Sequence, residues 1–239
     1  MNILILAAGT ISNTGETESY PPCLTESDGI PLIERILRTC QTLTCNKLIV
    51  ALRAEDTRRY HLDNIVTLLS PGADVLRINQ ATSGAACTAL LSINDINSDE
   101  ELLILNANEL LDESYVKIVT DFRNRSLDAG VVTFPSVHPR YSYVRIGADN
   151  LVVQASEKNP ISRMATAGFY WFAKGSAFVR AAQNMIRKGA AVNDLYYICP
   201  VLNELVLEQA RIGIYAVETA KYKPLKTDQQ LVHFEALRT

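Results

Sequence analysis

The first lysine or arginine of this 239-residue chain is Arg35. The stretch that opens it, MNILILAAGTISNTGETESYPPCL, and the residues just beyond carry Glu16, Glu18, Glu26 and Asp28 with no local cation to offset them. Histidine is as scarce. His61, His138 and His233 stand far apart, without metal-ligand spacing, and read as ordinary surface or core side chains. The five cysteines (Cys23, Cys40, Cys45, Cys87, Cys199) form no C-x-x-C and are odd in number, which favours reduced, mostly buried thiols over a zinc site or a disulfide framework. Residues 3–8 make too short an apolar run to span a bilayer, and no basic region precedes them, so the chain is expected to be cytoplasmic, without membrane insertion. A net charge of −3 gives no basic excess and argues against a nucleic-acid partner. Linkers of flexible composition, repeats and low-complexity segments are missing too, so one domain is expected over 1–239.

What remains is an alternation of strand-like and helix-like segments. Apolar runs at 2–7, 46–52, 73–79, 101–106 and 129–135 predict buried strands. Between them, amphipathic patterns predict helices at 31–43, 55–70, from about 83 to 93, and at 114–126. Such alternation implies a mainly parallel sheet covered on both faces, with ligands bound beyond the carboxyl ends of its strands. That places the loop at 8–28 and the segment after Leu105 on one functional edge. Beyond 135 the pattern changes. Strands are expected at 141–147 and 151–157 around a turn at Ala148-Asp149-Asn150, then at 166–173 and 211–219, with helices at 176–189, 195–209 (kinked or starting at Pro200) and 227–238.

The segments "ILAAG", "PLIERIL", "TSGAACTALLSI", "HPRYSYVRI", "SEKNPIS", "ATAGFYWFAKGSAFV" and "LYYICPVLNEL", in this order, resemble the sugar-phosphate nucleotidyltransferases, and among them a subfamily of bacterial capsule and lipopolysaccharide genes. The resemblance covers nearly the whole chain. It implies an α/β, Rossmann-like GT-A fold, with a mixed, mostly parallel sheet and helices on both faces. It also implies a reaction in which a sugar 1-phosphate attacks the α-phosphorus of a nucleoside triphosphate and releases pyrophosphate. That chemistry needs amides and cations around the phosphates, Mg²⁺ held by one or two carboxylates, and a further cation on the sugar phosphate. By resemblance, Leu6, Ala8, Gly9, Ser83, Gly84 and Ala85 face the nucleotide. Lys158 faces the sugar phosphate, Glu157 the sugar hydroxyls, and Gly168 leaves room for the sugar against its strand. Taken alone, Glu157-Lys158 also reads as a solvated pair at a strand end, and Ser83-Gly84-Ala85 as a closely packed helix start.

Several family positions are changed. The usual G-x-G-x-R is replaced by Gly9-Thr10-Ile11-Ser12-Asn13, and Pro-Lys by Pro21-Pro22, so both loop cations are missing. The metal aspartate is matched by Asn108, and Glu109, one residue later, points the other way in an extended segment. Pro224 stands where many members have an aspartate. Thr227 and Gln230 read as a capping box, with Asp228 a favourable first-turn acid. Leu195 occupies a position commonly held by glutamate. Arg140, Tyr141 and Tyr143 are candidates for the acceptor side, although alternating tyrosines are commonly packing residues.

Three functions follow as expectations. The preferred one is a nucleotidyltransferase-like protein of surface-polysaccharide synthesis with weak or lost catalysis, retaining a nucleotide, a sugar phosphate or a partner protein as its ligand. The second is an active transferase, Mg²⁺-dependent, with substitute cations such as Arg53, Arg77 or a neighbouring subunit's arginine. The third is a glycosyltransferase on the same fold. A homodimer or a heterologous partner subunit is compatible with each.

Overall fold

The structure is a computed structural model that describes residues 1–9 and 20–224. Glu16, Glu18, the Thr10-Ile11-Ser12-Asn13 stretch, the capping box at Thr227, Asp228, His233 and the helix expected at 227–238 lie outside the described residues.

In chain order the elements are β1 (Asn2–Leu6), β2 (Glu26–Ser27), β3 (Ile30–Pro31), α1 (Leu32–Cys40), β4 (Lys47–Arg53), α2 (Ala54–Tyr60), α3 (Leu62–Leu69), β5 (Ala73–Ile78), α4 (Ala85–Leu90) and α5 (Ile93–Ile96). They continue with β6 (Leu102–Asn106), β7 (Glu109–Leu111), α6 (Tyr115–Asn124), β8 (Ala129–Pro135), β9 (Ser142–Ile146), β10 (Val152–Glu157), β11 (Met164–Phe172), α7 (Gly175–Arg187), α8 (Ile198–Leu207), β12 (Ile212–Ala216) and β13 (Tyr222–Pro224).

Nine of these strands form one sheet in the order β10-β9-β11-β6-β1-β4-β5, with β8 paired to β11 and β12 to β8. The pairs β1–β4, β1–β6, β4–β5 and β8–β12 are parallel. Strand β11 runs against β6, β8 and β9, and β10 against β9. Thus β1, β4, β5, β6, β8, β9 and β12 run one way, and β10 and β11 the other. The α/β class and the mixed, mostly parallel sheet expected from the sequence are what the chain adopts.

Successive side chains of a strand point to opposite faces. In β1, Ile3 and Ile5 join a core with Ile33, Ile36 and Leu37 of α1, Val66 of α3 and Phe122 of α6. Leu4 joins the opposite core, with Ala86 of α4, Phe178 of α7 and Leu202 of α8. A strand buried on both faces needs an unbroken apolar run, which is why these strands show no polar alternation.

Local departures from the sequence reading have local causes. The helix expected at 55–70 is two helices, because His61 takes the left-handed conformation (φ 53°) and resets the chain direction. The helix expected from 195 begins at Ile198, with Pro200 in its first turn, where a missing N–H costs nothing. The hairpin turn is present, Asn150 adopting φ 59° between β9 and β10. Two three-residue strands, β7 and β13, were not foreseen; they pair antiparallel, Tyr222 opposite Leu111 and Pro224 opposite Glu109.

The thiols give a test of the core. Cys23, Cys40 and Cys199 are buried, while Cys45 and Cys87 are partly accessible. Burial pushes the Cys23 and Cys40 thiols up to about 12, which leaves little thiolate to react. Native protein titrated with a thiol reagent at pH 8 is expected to react quickly at Cys45 and Cys87 alone, with the other three appearing only in denaturant. Peptide mapping that found Cys23 or Cys40 modified early would contradict this packing.

Candidate functional site

The parallel strands deliver the chain to a common edge. Leu6 of β1 lies opposite Ala51 of β4 and Asn106 of β6, and Arg53 at the end of β4 lies opposite Ile78 of β5. Pairing runs one step past the strand ends, the Ala7 amide donating to the Ala51 carbonyl (2.9 Å) and the Ala107 amide to the Leu6 carbonyl (3.0 Å). Beyond this edge opens a cleft of about 1200 Å³. Its floor includes Leu6, Ala8, Gly9 and Asn108; its walls include Gly84 and Ala85 on one side and Glu157 and Lys158 on the other. The nucleotide-side and sugar-side candidates thus face one space. Two do not line it: Ser83 and Gly168.

Ser83 is engaged elsewhere. Its carbonyl accepts from the Tyr196 amide (2.8 Å), and the Tyr196 carbonyl accepts from the Ala86 amide (3.0 Å). The free amides expected at this helix start are therefore reduced by one, and the segment doubles as the seam that ties α4 to the chain ahead of α8. Gly84 sits inside the seam with φ 109°, its α-carbon pressed against the Tyr196 backbone.

Gly168 has a role different from the expected one. It adopts φ 59° within a register shift of β11 between Thr166 and Tyr170. A Cβ there would lie 1.6 Å from Glu109 Oε1 and 2.9 Å from Asn106 Nδ2. The room it leaves is filled by the Glu109 carboxylate, not held open for a sugar.

Glu109 itself is 4% exposed. Asn106 Nδ2 donates to its Oε1 at 2.8 Å, and the Tyr222 hydroxyl donates to Oε2 in a very short bond. Burial, and then the negative charge of Glu109, hold the Tyr222 phenol well above its ordinary value, so it stays a donor. A buried carboxylate is tolerable only with such partners. The backbone does turn at Ala107 and Asn108, between β6 and β7, but it directs Glu109 to Asn106 and Tyr222 and not into the cleft, away from the place of a metal ligand there. Asn108 does line the cleft, and its Oδ1 is buried without a hydrogen-bond partner. An uncharged amide whose neighbouring carboxylate, Glu109, is turned away to Asn106 and Tyr222 is a poor fit for Mg²⁺, which is usually held through one or two carboxylates. Among the described residues no group of three His, Cys, Asp or Glu side chains could hold a metal ion.

The sugar-side pair closes β10. Glu157 is 8% exposed and accepts a very short hydrogen bond from Ser142 Oγ. Lys158 has φ 54°; its amide donates to the Tyr141 carbonyl (3.0 Å) and its Nζ to the Tyr197 hydroxyl (2.9 Å). Behind them Cys199 is buried, its thiol pushed well up by burial first and by the Glu157 charge second, so it carries no nucleophile. Arg140 lines the cleft with its Nε donating to His138 Nδ1 at 3.1 Å, whereas Tyr141 and Tyr143 are core residues. Tyr141 packs edge-on to Phe134 (5.1 Å between centroids).

The charge picture changes in two ways. Asp28 is not without a cation: Arg35 Nη2 meets its Oδ2 at 2.9 Å. Secondly, Arg53, Arg58, Arg140 and Lys158 all line the cleft, supplied by β4, α2, the β8–β9 connection and the residue after β10 instead of the opening loop. Arg53 is held by Asp56, Nε at 2.7 Å and Nη2 at 2.6 Å. Arg77 lines an adjacent hollow and pairs with Asp63 at 2.8 Å. The sequence reading missed Arg58, His138, Ser142 and Tyr197 as cleft residues. For Arg58 a signal existed, since a helix that follows directly on a parallel strand starts at the ligand-binding edge. Leu195 also reaches the cleft, just after a tight turn in which Asn193 and Asp194 are both left-handed.

The fold is shared with solved structures of low sequence identity. A nucleoside-diphosphate-sugar pyrophosphorylase from Vibrio cholerae RC9 matches with a TM-score of 0.81 at 18% identity, over 99% of this chain and 100% of that one. The inositol-1-phosphate CTP transferase from T. maritima matches with a TM-score of 0.76 at 14% identity, over 99% and 94%. HddC from Yersinia pseudotuberculosis, complexed with GMP-PN, gives 0.68 at 13% identity, over 100% and 99%. No curated protein matches the sequence significantly. The family model described as Nucleotidyl transferase matches residues 16–206, a span that takes in both walls of the cleft and Asn108 of its floor, and the chain belongs to that family.

Proposed function

We propose that this chain is a nucleotidyltransferase relative of surface-polysaccharide synthesis, of the capsule or lipopolysaccharide type, that holds a nucleotide or sugar phosphate and turns it over weakly or not at all. The observation that carries the reading is the floor of the cleft. There the metal position is the amide of Asn108, and the neighbouring carboxylate, Glu109, is bonded beneath the floor to Asn106 and Tyr222. Attack on an α-phosphorus builds negative charge that must be met in the transition state. Loss of a metal carboxylate and of two loop cations acts on that same state, so the losses compound. The chain works as a single cytoplasmic domain in this reading, as a homodimer or beside a partner protein, and the solved neighbours named for nucleotide-sugar and CTP chemistry make phosphate ligands the reasonable class.

Direct binding of the common nucleoside triphosphates, with and without Mg²⁺, followed by a pyrophosphate-release assay with a panel of sugar 1-phosphates, tests it. Ligand binding without pyrophosphate above background is expected. Mg²⁺-dependent turnover would sink the reading and favour the active transferase, for which the four cations around the cleft are the supporting observation.

A further inference from the structure

Lys158 is held at both ends. Its backbone takes the left-handed conformation, φ 54°, which a residue other than glycine keeps only where its contacts enforce it. The Tyr141 carbonyl accepts from its amide at 3.0 Å, and the Tyr197 hydroxyl accepts from its Nζ at 2.9 Å. Several arginines end on carboxylates instead: Arg53 on Asp56, Arg77 on Asp63 and Arg35 on Asp28. A phenol holds an ammonium without cancelling its charge, and it takes one of the three N–H donors, leaving two.

Tyr197 is fixed in its turn. It stands immediately before α8, as the N-cap residue, with φ −97° and ψ 163°. Tyr196, one residue earlier, donates to the Ser83 carbonyl (2.8 Å) and accepts from the Ala86 amide (3.0 Å). The side chain that grips the sugar-side lysine is therefore mounted on the nucleotide-side wall. Lys158 is exposed, and both residues line the cleft. An exposed hydrogen bond adds little stability against the rotamer freedom that a lysine surrenders. What this one governs is where a charge stands.

We infer that Tyr197 is a positioning residue that acts through Lys158, keeping the ammonium ordered and charged at the cleft. An ordered side chain spares a ligand the cost of immobilising it, worth about three- to tenfold in affinity. The inference rests on the reading that a sugar phosphate meets Lys158, and the two are tested apart.

The hold is measured first without ligand, by ¹⁵N relaxation of the lysine ammonium groups in the full chain. The order parameter of the Lys158 group should stand well above that of exposed Lys117, and fall to it in Tyr197→Phe. Equal values for the two lysines in the parent chain, or no change in the variant, overturn the inference. Calorimetry with glucose 1-phosphate follows. Tyr197→Phe should weaken binding by about three- to tenfold, yet change it by less than about twofold in a Lys158→Met background, where no ammonium is left to place. A tyrosine that merely supports the fold would cost the same in both backgrounds, and that result also overturns the inference. A chain that orders Lys158 through Tyr197 but binds no glucose 1-phosphate leaves the inference standing and removes the ligand reading alone.

Discussion

Gly168→Ala is expected to cost about 4 kcal/mol of stability, combining overpacking, left-handed strain and damaged hydrogen bonds to a buried charge. The new methyl would fall 1.6 Å from Glu109 Oε1 and 2.4 Å from its carboxyl carbon. Either the carboxylate leaves Asn106 and Tyr222, or β11 shifts away from its neighbours. Neither is cheap in a buried layer, where Tyr222 also stacks on Phe134 at 4.1 Å between centroids. For a domain of this size the loss corresponds to a fall of roughly 10 °C in Tm. Urea denaturation of Gly168→Ala, Glu109→Ala and the double variant measures the coupling. The double variant should be less destabilised than the sum of the singles by about 1–3 kcal/mol, because removing the carboxylate opens the space the methyl needs. A well-folded Gly168→Ala that merely loses ligand affinity would instead restore the sugar-contact role expected from the sequence.

Gly84→Ala should do comparable damage by a different route. Its Cβ would meet the Tyr196 carbonyl oxygen at 2.4 Å and the Tyr196 nitrogen at 2.6 Å, and backbone cannot swing aside as a side chain can. The conformation, φ 109° and ψ 174°, is one that only glycine occupies readily. The expected cost is about 3–4 kcal/mol, from strain together with the two flanking hydrogen bonds, Tyr196 to Ser83 and Ala86 to Tyr196. Hydrogen exchange locates the effect. Amides of Ala86 and Tyr196 should lose protection first, and the cleft should lose phosphate affinity with them, since both α4 and the Lys158 partner Tyr197 border the seam. Unchanged protection at those two amides would refute the steric argument.

How much of this was legible beforehand divides along physical lines. Buried parallel strands announce themselves as apolar runs, so the edge where ligands bind could be placed from β1, β4 and β6 alone. Asn108 faces the cleft and Glu109 lies away from it, as expected, but a turn at 107–108 separates them and not the alternation of an extended segment. Nor could periodicity say what receives Glu109, because Tyr222 is 113 residues distant and three-residue strands leave no periodic trace. The search for phosphate cations began in the opening loop, where family habit puts them. The fold brings Arg53, Arg58, Arg140 and Lys158 from four separate segments, a convergence that no local window contains. His61 shows the same limit on a smaller scale: the apolar period runs straight through 55–70, and only a single left-handed residue breaks it. Gly168 was singled out rightly as a residue that must lack a side chain, and its neighbour was misidentified.

The pairing of β13 with β7 has a consequence for biogenesis. Glu109 can be buried at low cost only once Tyr222 is present to donate to it. A nascent chain that has emerged through β6 and β7 carries a carboxylate that still lacks the Tyr222 hydroxyl at the heart of its forming sheet. The floor of the cleft therefore sets late, after β11 has threaded between β6 and β8 and the far end has returned. Chains interrupted before residue 222 should accumulate with the parallel half formed and the cleft unset, and so be the species that chaperones and proteases meet.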